Sequence, residues 1–379
     1  MTHKLLVVTT VSVTIHGFLL PFIKHFKSLG WQVDGMAQGL SADSKCVAAC
    51  DRVWDIQWSR NPLDPRNLMV AVPRIQEIIA QGNYDLVHVH TPVAAFATRY
   101  AISKLNIKQK PRVIYTAHGF HFHQQGNPLT NFVFLNLEKL AGNWTDYLIT
   151  INREDETAAK QNRLLPSERI FYTSGIGLDL NEYNPNQVSE SEIIAVRQEL
   201  GLSSSDSLLL CVAEFTPNKR HRDQIIAFKK LNRSNIHLAF AGDGATRPEL
   251  EQLTAKLSLQ QQVHFLGFRQ DIPALICSSA AVLLTSQREG LPRSIMEAMC
   301  LGTPVIGTKI RGIQDLLEDG CGLLVNLGNV DELAQAMAQI VDEPESAKLM
   351  AQKGQEKIAD YDIKQIIEQY TDIYHFALN

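Results

Sequence analysis

Cysteine is sparse and shows no pairing pattern. The six thiols of this 379-residue chain, Cys46, Cys50, Cys211, Cys277, Cys300 and Cys321, include no Cys-x-x-Cys. A disulfide scaffold is therefore not indicated, and buried thiols in a reducing compartment are. An excess of one charge is also lacking. Lys plus Arg number 36 against 40 Asp plus Glu, a net of −4, which argues against a general nucleic-acid binder. No apolar run approaches the ~18 residues of a membrane span, and the opening Met-Thr-His-Lys-Leu-Leu-Val-Val has no small-residue cleavage site. The expectation is a cytoplasmic protein, with peripheral contact at the inner face of the cytoplasmic membrane left open. With 15 Pro, 22 Gly and 20% charged residues, neither a fibrous nor a disordered chain fits.

What is present is apolar content, 45% of residues, in a chain long enough for two domains. Short apolar runs alternate with amphipathic segments almost throughout, which predicts an α/β protein with parallel sheets. Predicted strands cover 5–9, 33–36, 53–56, 86–90, 113–116 and 147–151 in the first half, and 208–213, 237–241, 263–266, 281–285 and 304–307 in the second. Helical patterns lie between them, such as 18–29 ending at Gly30, where glycine suits the left-handed helix terminus. Turn formers at 174–186 mark a linker. The expected division is a domain at 1–180, a second at 181–360, and a helical tail at 361–379 that could pack on either. Charge is uneven: 18 basic against 14 acidic residues in 1–180, and 18 against 26 beyond. An anionic partner for the first half and a chance imbalance are both open.

Open parallel sheets bind ligands at the C-terminal ends of their strands, and two such domains would leave a crevice between them. After the strand at 281–285 comes a loop carrying Glu289, then Gly290, Leu291, Pro292, Arg293 and Ser294 at a helix start, and Glu297 about a turn inside. Free backbone N–H groups there suit an anion, and a carboxylate accepting two parallel hydrogen bonds suits a vicinal diol. The alternative is that both are acids complementing the helix dipole. Gly242-Asp243-Gly244 follows another strand but is no dinucleotide fingerprint, since the third glycine position is Arg247. Lys219 sits in a basic loop after 208–213, as a phosphate contact or as a solvated surface charge. In the first half His88, His90, His118, His121 and His123 cluster near two strand ends. A metal site and ordinary packing are both open, and His118, followed by Gly119, is the better candidate for ligand contact.

Together these loops resemble the retaining GT-B glycosyltransferases of glycosyltransferase family four, over nearly the whole chain. The segment from Glu289 to Glu297 looks like the family's E-x7-E motif, Gly242-Asp243-Gly244 its glycine-rich turn and Lys219 its phosphate lysine. The 265–271 segment, with Arg269, is similar to its base-binding loop. Two departures stand out. The position five before the lysine, usually Arg, is Glu214, leaving the second cation to Arg220 or Arg222. The double glycine after the first strand is reduced to Gly17.

The resemblance implies two Rossmann-like domains facing across a cleft. It implies a nucleotide sugar on the second domain, with Glu297 on the ribose, Glu289 on sugar hydroxyls, and Lys219 with the helix end near Ser294 on the departing diphosphate. Gly242, Gly244, Arg269, Gly290, Leu291, Pro292, Arg293 and Gly17 complete the donor contacts. His118 would meet the sugar from the first domain, with His16, Phe120, His121 and His123 on the acceptor side. No metal or other cofactor is expected, the nucleotide sugar being a substrate. The branch suggested by the His-Gly-Phe-His-Phe-His run makes exopolysaccharide, capsule or lipid-linked units, and is similar to heterocyst-envelope polysaccharide transferases. It implies a UDP-hexose donor, such as UDP-glucose, and a saccharide or polyprenyl-linked acceptor. An anionic membrane surface is a further candidate partner, through basic amphipathic stretches at 18–26 and 132–140 flanked by Lys24, Lys27 and Lys139, which could equally face the core. The rivals are another GT-B chemistry, a UDP-sugar epimerase or phosphorylase, and a non-catalytic sugar- or nucleotide-binding protein.

Overall fold

The computed structural model describes residues 2–379 except 60, 62–63 and 124–125. The chain forms two compact units. The first holds residues through Ile176 together with Lys364–Asn379, and the second is Gly177–Ile363.

Among the described residues the first unit carries a seven-stranded sheet. Its strands are β1 (Lys4–Val11), β2 (Gln32–Gln38), β3 (Val53–Asp55), β4 (Leu86–His90), β5 (Arg112–Ala117), β6 (Tyr147–Thr150) and β7 (Ile170–Tyr172). The order is β3-β2-β1-β4-β5-β6-β7, with every pairing parallel. Central strands are apolar on both faces because both are covered, so β4 is buried from end to end. One face places Leu6, Val87, Val89 and Tyr115 in a core with Ile75, Ile78 and Ala97 of the flanking helices. On the other, Leu5, Val7, His88 and His90 meet Phe22, Ile23 and Phe26, and Tyr370 and Tyr374 of the C-terminal helix Ile363–Leu378, around a void of only about 10 Å³.

The second unit repeats the plan with β8 (Ser207–Val212), β9 (Ile236–Ala241), β10 (Val263–Gly267), β11 (Ala281–Leu284), β12 (Val305–Thr308) and β13 (Leu323–Val325). Their order is β10-β9-β8-β11-β12-β13, again all parallel. Where the second unit begins and ends, its chain lies side by side. Leu178 bridges Asp362, the Leu178 N–H donates to Tyr361 O at 2.9 Å, and the Ile363 N–H donates to Leu178 O at 3.0 Å. Gly177 has φ +76, and a Cβ there would stand 2.5 Å from Ile363 Cα, so only glycine fits.

Two features differ from the sequence reading, and one alternative it left open is decided. β7 and β13 were not predicted; each is a three-residue edge strand, too short to show a period and held by its neighbour's register. The helix expected at 18–29 is preceded by a π-helical turn, Ile15–Leu19, and the α-helix proper is Leu20–Ser28. Pro21 explains the break: it lacks the N–H that would continue an i→i−4 ladder. The basic stretch at 18–26 faces the core, with Leu19, Leu20, Phe22, Ile23 and Phe26 all buried.

Strand order directs attention to two places. The order reverses between β1 and β4 in the first unit and between β8 and β11 in the second, and the loops leaving such a switch point diverge to leave room for a ligand.

Candidate active site

In the second unit the loops after β8 and β11 are tied to each other. Lys219 Nζ meets Glu289 Oε1 at 2.5 Å, both side chains being largely buried. Asn218 Nδ2 donates to Arg288 O at 3.0 Å, and the Gln287 N–H returns a bond to Asn218 O at 2.8 Å. Two residues expected on different parts of a ligand, Lys219 on phosphate and Glu289 on sugar, therefore sit at one point.

The β11 loop enters the helix Arg293–Cys300 through Pro292, whose extended backbone (φ −77°, ψ 119°) makes it the N-cap rather than a first-turn residue. The first intrahelical bond runs from Met296 N–H to Pro292 O, so the Ser294 and Ile295 amides precede the ladder at the helix's positive end. Glu297 is buried, receives Arg293 Nε at 2.9 Å, and lies beside Tyr183, whose hydroxyl is 3.4 Å from Arg293 Nη2. Burial raises its pKa, and Arg293 opposes that shift.

The loop after β12 buttresses this one. Arg311 Nε donates to Glu289 O at 3.3 Å, and Gly312, at φ +75, would drive a Cβ to 1.9 Å from Gly290 O. Arg288 stands near enough to Arg311 that burial first, and that like charge second, depress its pKa. Arg220 and Arg222, the cations expected to replace the missing arginine, are instead paired with Asp223 (2.6 Å) and Glu249 (3.3 Å). The extra positive charge beside Glu289 comes from Arg288 and Arg311. Neither was picked out from the sequence, although Arg311-Gly312 follows a strand end just as the chosen motifs do.

The remaining donor candidates have structural tasks of their own. A Cβ on Gly242 would lie 2.1 Å from Ala213 O and one on Gly244 2.5 Å from Phe215 O, so these glycines let two strand-end loops pack. The Arg269 guanidinium spends four of its five N–H groups on Glu199 (2.6 and 2.9 Å) and Asp271 (2.8 and 2.6 Å). Its side chain braces the loop.

In the first unit, His16 and Gly17 occupy the π-helical turn after β1, with His16 Nδ1 2.9 Å from Asp43 Oδ2 and with room for a Cβ at the exposed Gly17. At the other side of the switch point Thr91 is held at φ +60; its hydroxyl donates to His90 O at 2.5 Å and accepts from the Thr10 N–H at 2.9 Å. Such strain persists only where surrounding bonds enforce it. His118 keeps a partly exposed edge and bonds His90 Nδ1 through Nε2 at 2.9 Å. Phe120, expected on the acceptor side, is instead core: 1% exposed and stacked on Phe122 at 4.8 Å. His121 lies against Phe134, and the His123 backbone is bonded to Asn131. Among the described residues no three His, Cys, Asp or Glu side chains converge as metal ligands.

Burial holds three imidazoles neutral: His88 is pushed down to about 3, His118 to about 4, and His90 well below the usual value. The unfolded chain binds these protons near pH 6.5 and the folded one does not, so stability falls as pH drops from about 6.5 toward 4. The loss is up to about 1.4 kcal/mol per pH unit for each histidine. Urea midpoints at pH 7 and pH 5 should show this decline, and His118→Gln should flatten it; an equal decline in both proteins would contradict the burial argument.

Comparison with known proteins matches this architecture along its length. The Glycosyltransferase Family 4 model matches residues 18–172, and the Glycosyl transferases group 1 model matches 192–357. The putative glycosyltransferase EpsD of Bacillus subtilis is 33% identical over 99% of this chain and 97% of its own. The UDP-Gal:α-D-GlcNAc-diphosphoundecaprenol α-1,3-galactosyltransferase of Escherichia coli is 24% identical, covering 81% and 79%. Among solved structures, Anabaena HepE in complex with UDP and glucose superposes with a TM-score of 0.81 at 22% identity, covering 98% and 99%. With both halves of the family matched and a relative aligned from end to end, the chain belongs to the GT-B glycosyltransferases of family four.

Proposed function

We propose that this glycosyltransferase moves a hexose, with retention of configuration, from a UDP-sugar such as UDP-glucose to a saccharide or lipid-linked saccharide in polysaccharide synthesis. The observation that carries the proposal is the Lys219–Glu289 pair at the mouth of the Arg293–Cys300 helix, with Glu297 buried one turn in. The HepE complex with UDP and glucose favours the donor class, and the Escherichia coli relative, which by name forms an α-linkage on a lipid diphosphate, favours retention and the acceptor class.

Transfer breaks the bond between the anomeric carbon and the diphosphate oxygen, whose electron pair leaves on that oxygen, while an acceptor hydroxyl oxygen bonds to the same carbon from the same face and passes its proton to the departing diphosphate oxygen. Lys219 and the Ser294 and Ile295 amides oppose the developing charge, with Arg288 and Arg311 adding to the local field; no metal enters the scheme. The arriving diphosphate draws Lys219 away from Glu289, and the released carboxylate accepts hydrogen bonds from the sugar hydroxyls. Glu297 accepts from the ribose diol. His118, a neutral imidazole, contacts the sugar by hydrogen bond rather than by charge.

The acceptor belongs to the first unit, which we place at an anionic membrane surface. Among the described residues no helix is long and apolar enough to cross a membrane. The helix Pro128–Gly142, however, exposes Leu129, Phe132, Val133, Leu137 and Leu140 in a stripe at helical spacing. Just past its C-terminal end Asn143 and Trp144 border a depression of about 560 Å³ carrying Lys104, Lys110, Arg112 and Arg169 against the single acid Asp146.

Glu297→Gln should weaken UDP binding by about 1–3 kcal/mol, since an amide turns an N–H toward a hydroxyl that needs an acceptor. Glu289→Ala and His118→Ala should bind UDP at least as well as the wild type, since the first also frees Lys219, and both should lose turnover. Calorimetry with UDP distinguishes them, and equal losses in all three would overturn the assignment. Vesicles containing anionic lipid should float with the full-length protein at low salt and release it as salt shortens the Debye length. Phe132→Glu should abolish flotation; an unaltered variant, or no flotation of the parent, removes the membrane from the proposal.

A further inference from the structure

One face of the first unit's sheet carries polar groups where a parallel sheet normally packs aliphatic ones. His88 and His90 on β4 share that face with Thr116 on β5, alternate residues on each strand pointing the same way. The C-terminal helix brings Tyr370 and Tyr374, one turn apart, onto them. Tyr374 Oη bonds His88 Nδ1, His88 Nε2 is 2.7 Å from Thr116 Oγ1, and Thr116 Oγ1 is 3.3 Å from Tyr370 Oη. The His88 and His90 rings are 4.0 Å apart, and His90 bonds His118. All but His118 are at most 2% exposed.

Resting on the reading that His118 touches the sugar, we propose that the C-terminal helix positions that histidine. Tyr374 and Tyr370 hold His88, His88 orients His90 by ring contact, and His90 orients His118. The chemistry supports one arrangement at the inner end. A phenol is a better donor than an aliphatic hydroxyl, so Tyr374 gives its hydrogen to His88 Nδ1. The neutral ring then carries its proton on Nε2 and donates it to Thr116, whose own hydrogen is left for Tyr370. Each group in this row constrains the next, and the row ends at the one imidazole with an exposed edge. Packing alone would be served as well by Leu and Val, which need no partners.

The test uses the full-length protein with ring-¹⁵N-labelled histidine, free of ligand, the resonances being assigned from single His→Gln variants. Tyr374→Phe keeps the ring stacked on Phe26, now 4.6 Å away, and removes only the hydroxyl. The expected result is movement of the His88, His90 and His118 resonances together; movement of His88 alone overturns the inference. Hydrolysis of UDP-glucose, with water taking the glucosyl group and UDP released, supplies the second readout. Tyr374→Phe should lower kcat by about tenfold with KM changed less than about twofold, and should cost nothing more when His118 is already Ala. The same loss in both backgrounds overturns positioning through His118. Wild-type kcat in His118→Ala would instead sink the sugar-contact reading, leaving the ring spectra to judge the positioning. Should Tyr374→Phe fail to fold, Tyr370→Phe is read by the same criteria.

Discussion

The second unit's site depends on the ion pair between Lys219 and Glu289, which joins the two loops that diverge from the β8/β11 switch point. An isolated charge at this depth would be costly, and each of the two makes the other tolerable. In the proposed reaction the pair also exchanges partners. A diphosphate offers Lys219 more negative charge than one carboxylate does, and a freed Glu289 needs hydroxyl donors, which a sugar supplies. Around the pair the backbone is fixed by packing: Gly312 locks Gly290, Gly242 and Gly244 seat the β9 loop on the β8 loop, and Arg269 braces the β10 loop through two carboxylates.

The candidate sites of the two units use opposite electrostatics. The second gathers Lys219, Arg288, Arg293 and Arg311 with Glu289 and Glu297 at one helix mouth. Around His118 the first unit instead gathers hydroxyls and imidazoles, with His88, His90 and His118 kept uncharged by desolvation. Charge is thus concentrated where a nucleotide diphosphate is proposed to bind, and hydrogen bonding without charge where a sugar is proposed to be held. Fixed charge assists a leaving anion, whereas neutral donors and acceptors orient hydroxyls.

Much of this was legible in the sequence. The central strands stand out as apolar runs covered on both faces, and β4 falls at the predicted residues. Lys219, Glu289 and Glu297 were picked out because a strand end followed by a helix start is a local pattern, and the fold does bring Lys219 and Glu289 together. What escaped was set by distant pairing. β7 and β13 are strands only because a neighbour supplies their bonds. The sequence places Arg269 in a segment similar to a base-binding loop but does not show its pairing with Glu199, seventy residues away. Phe120 was placed on the acceptor side with its histidine neighbours, while the fold stacks it on Phe122 and encloses it in the core. The histidines of β4 look like metal ligands or packing, and their hydroxyl partner on the C-terminal helix lies 286 positions along the chain.

The most direct measurement is turnover of UDP-glucose, followed as released UDP, in EDTA for the wild-type protein and for Lys219→Ala. Stabilisation of the leaving group by side chains and helix amides requires full wild-type turnover under chelation and a fall of about 10² in kcat for the variant. Turnover abolished by EDTA and restored by a divalent cation, or unchanged in Lys219→Ala, would contradict it.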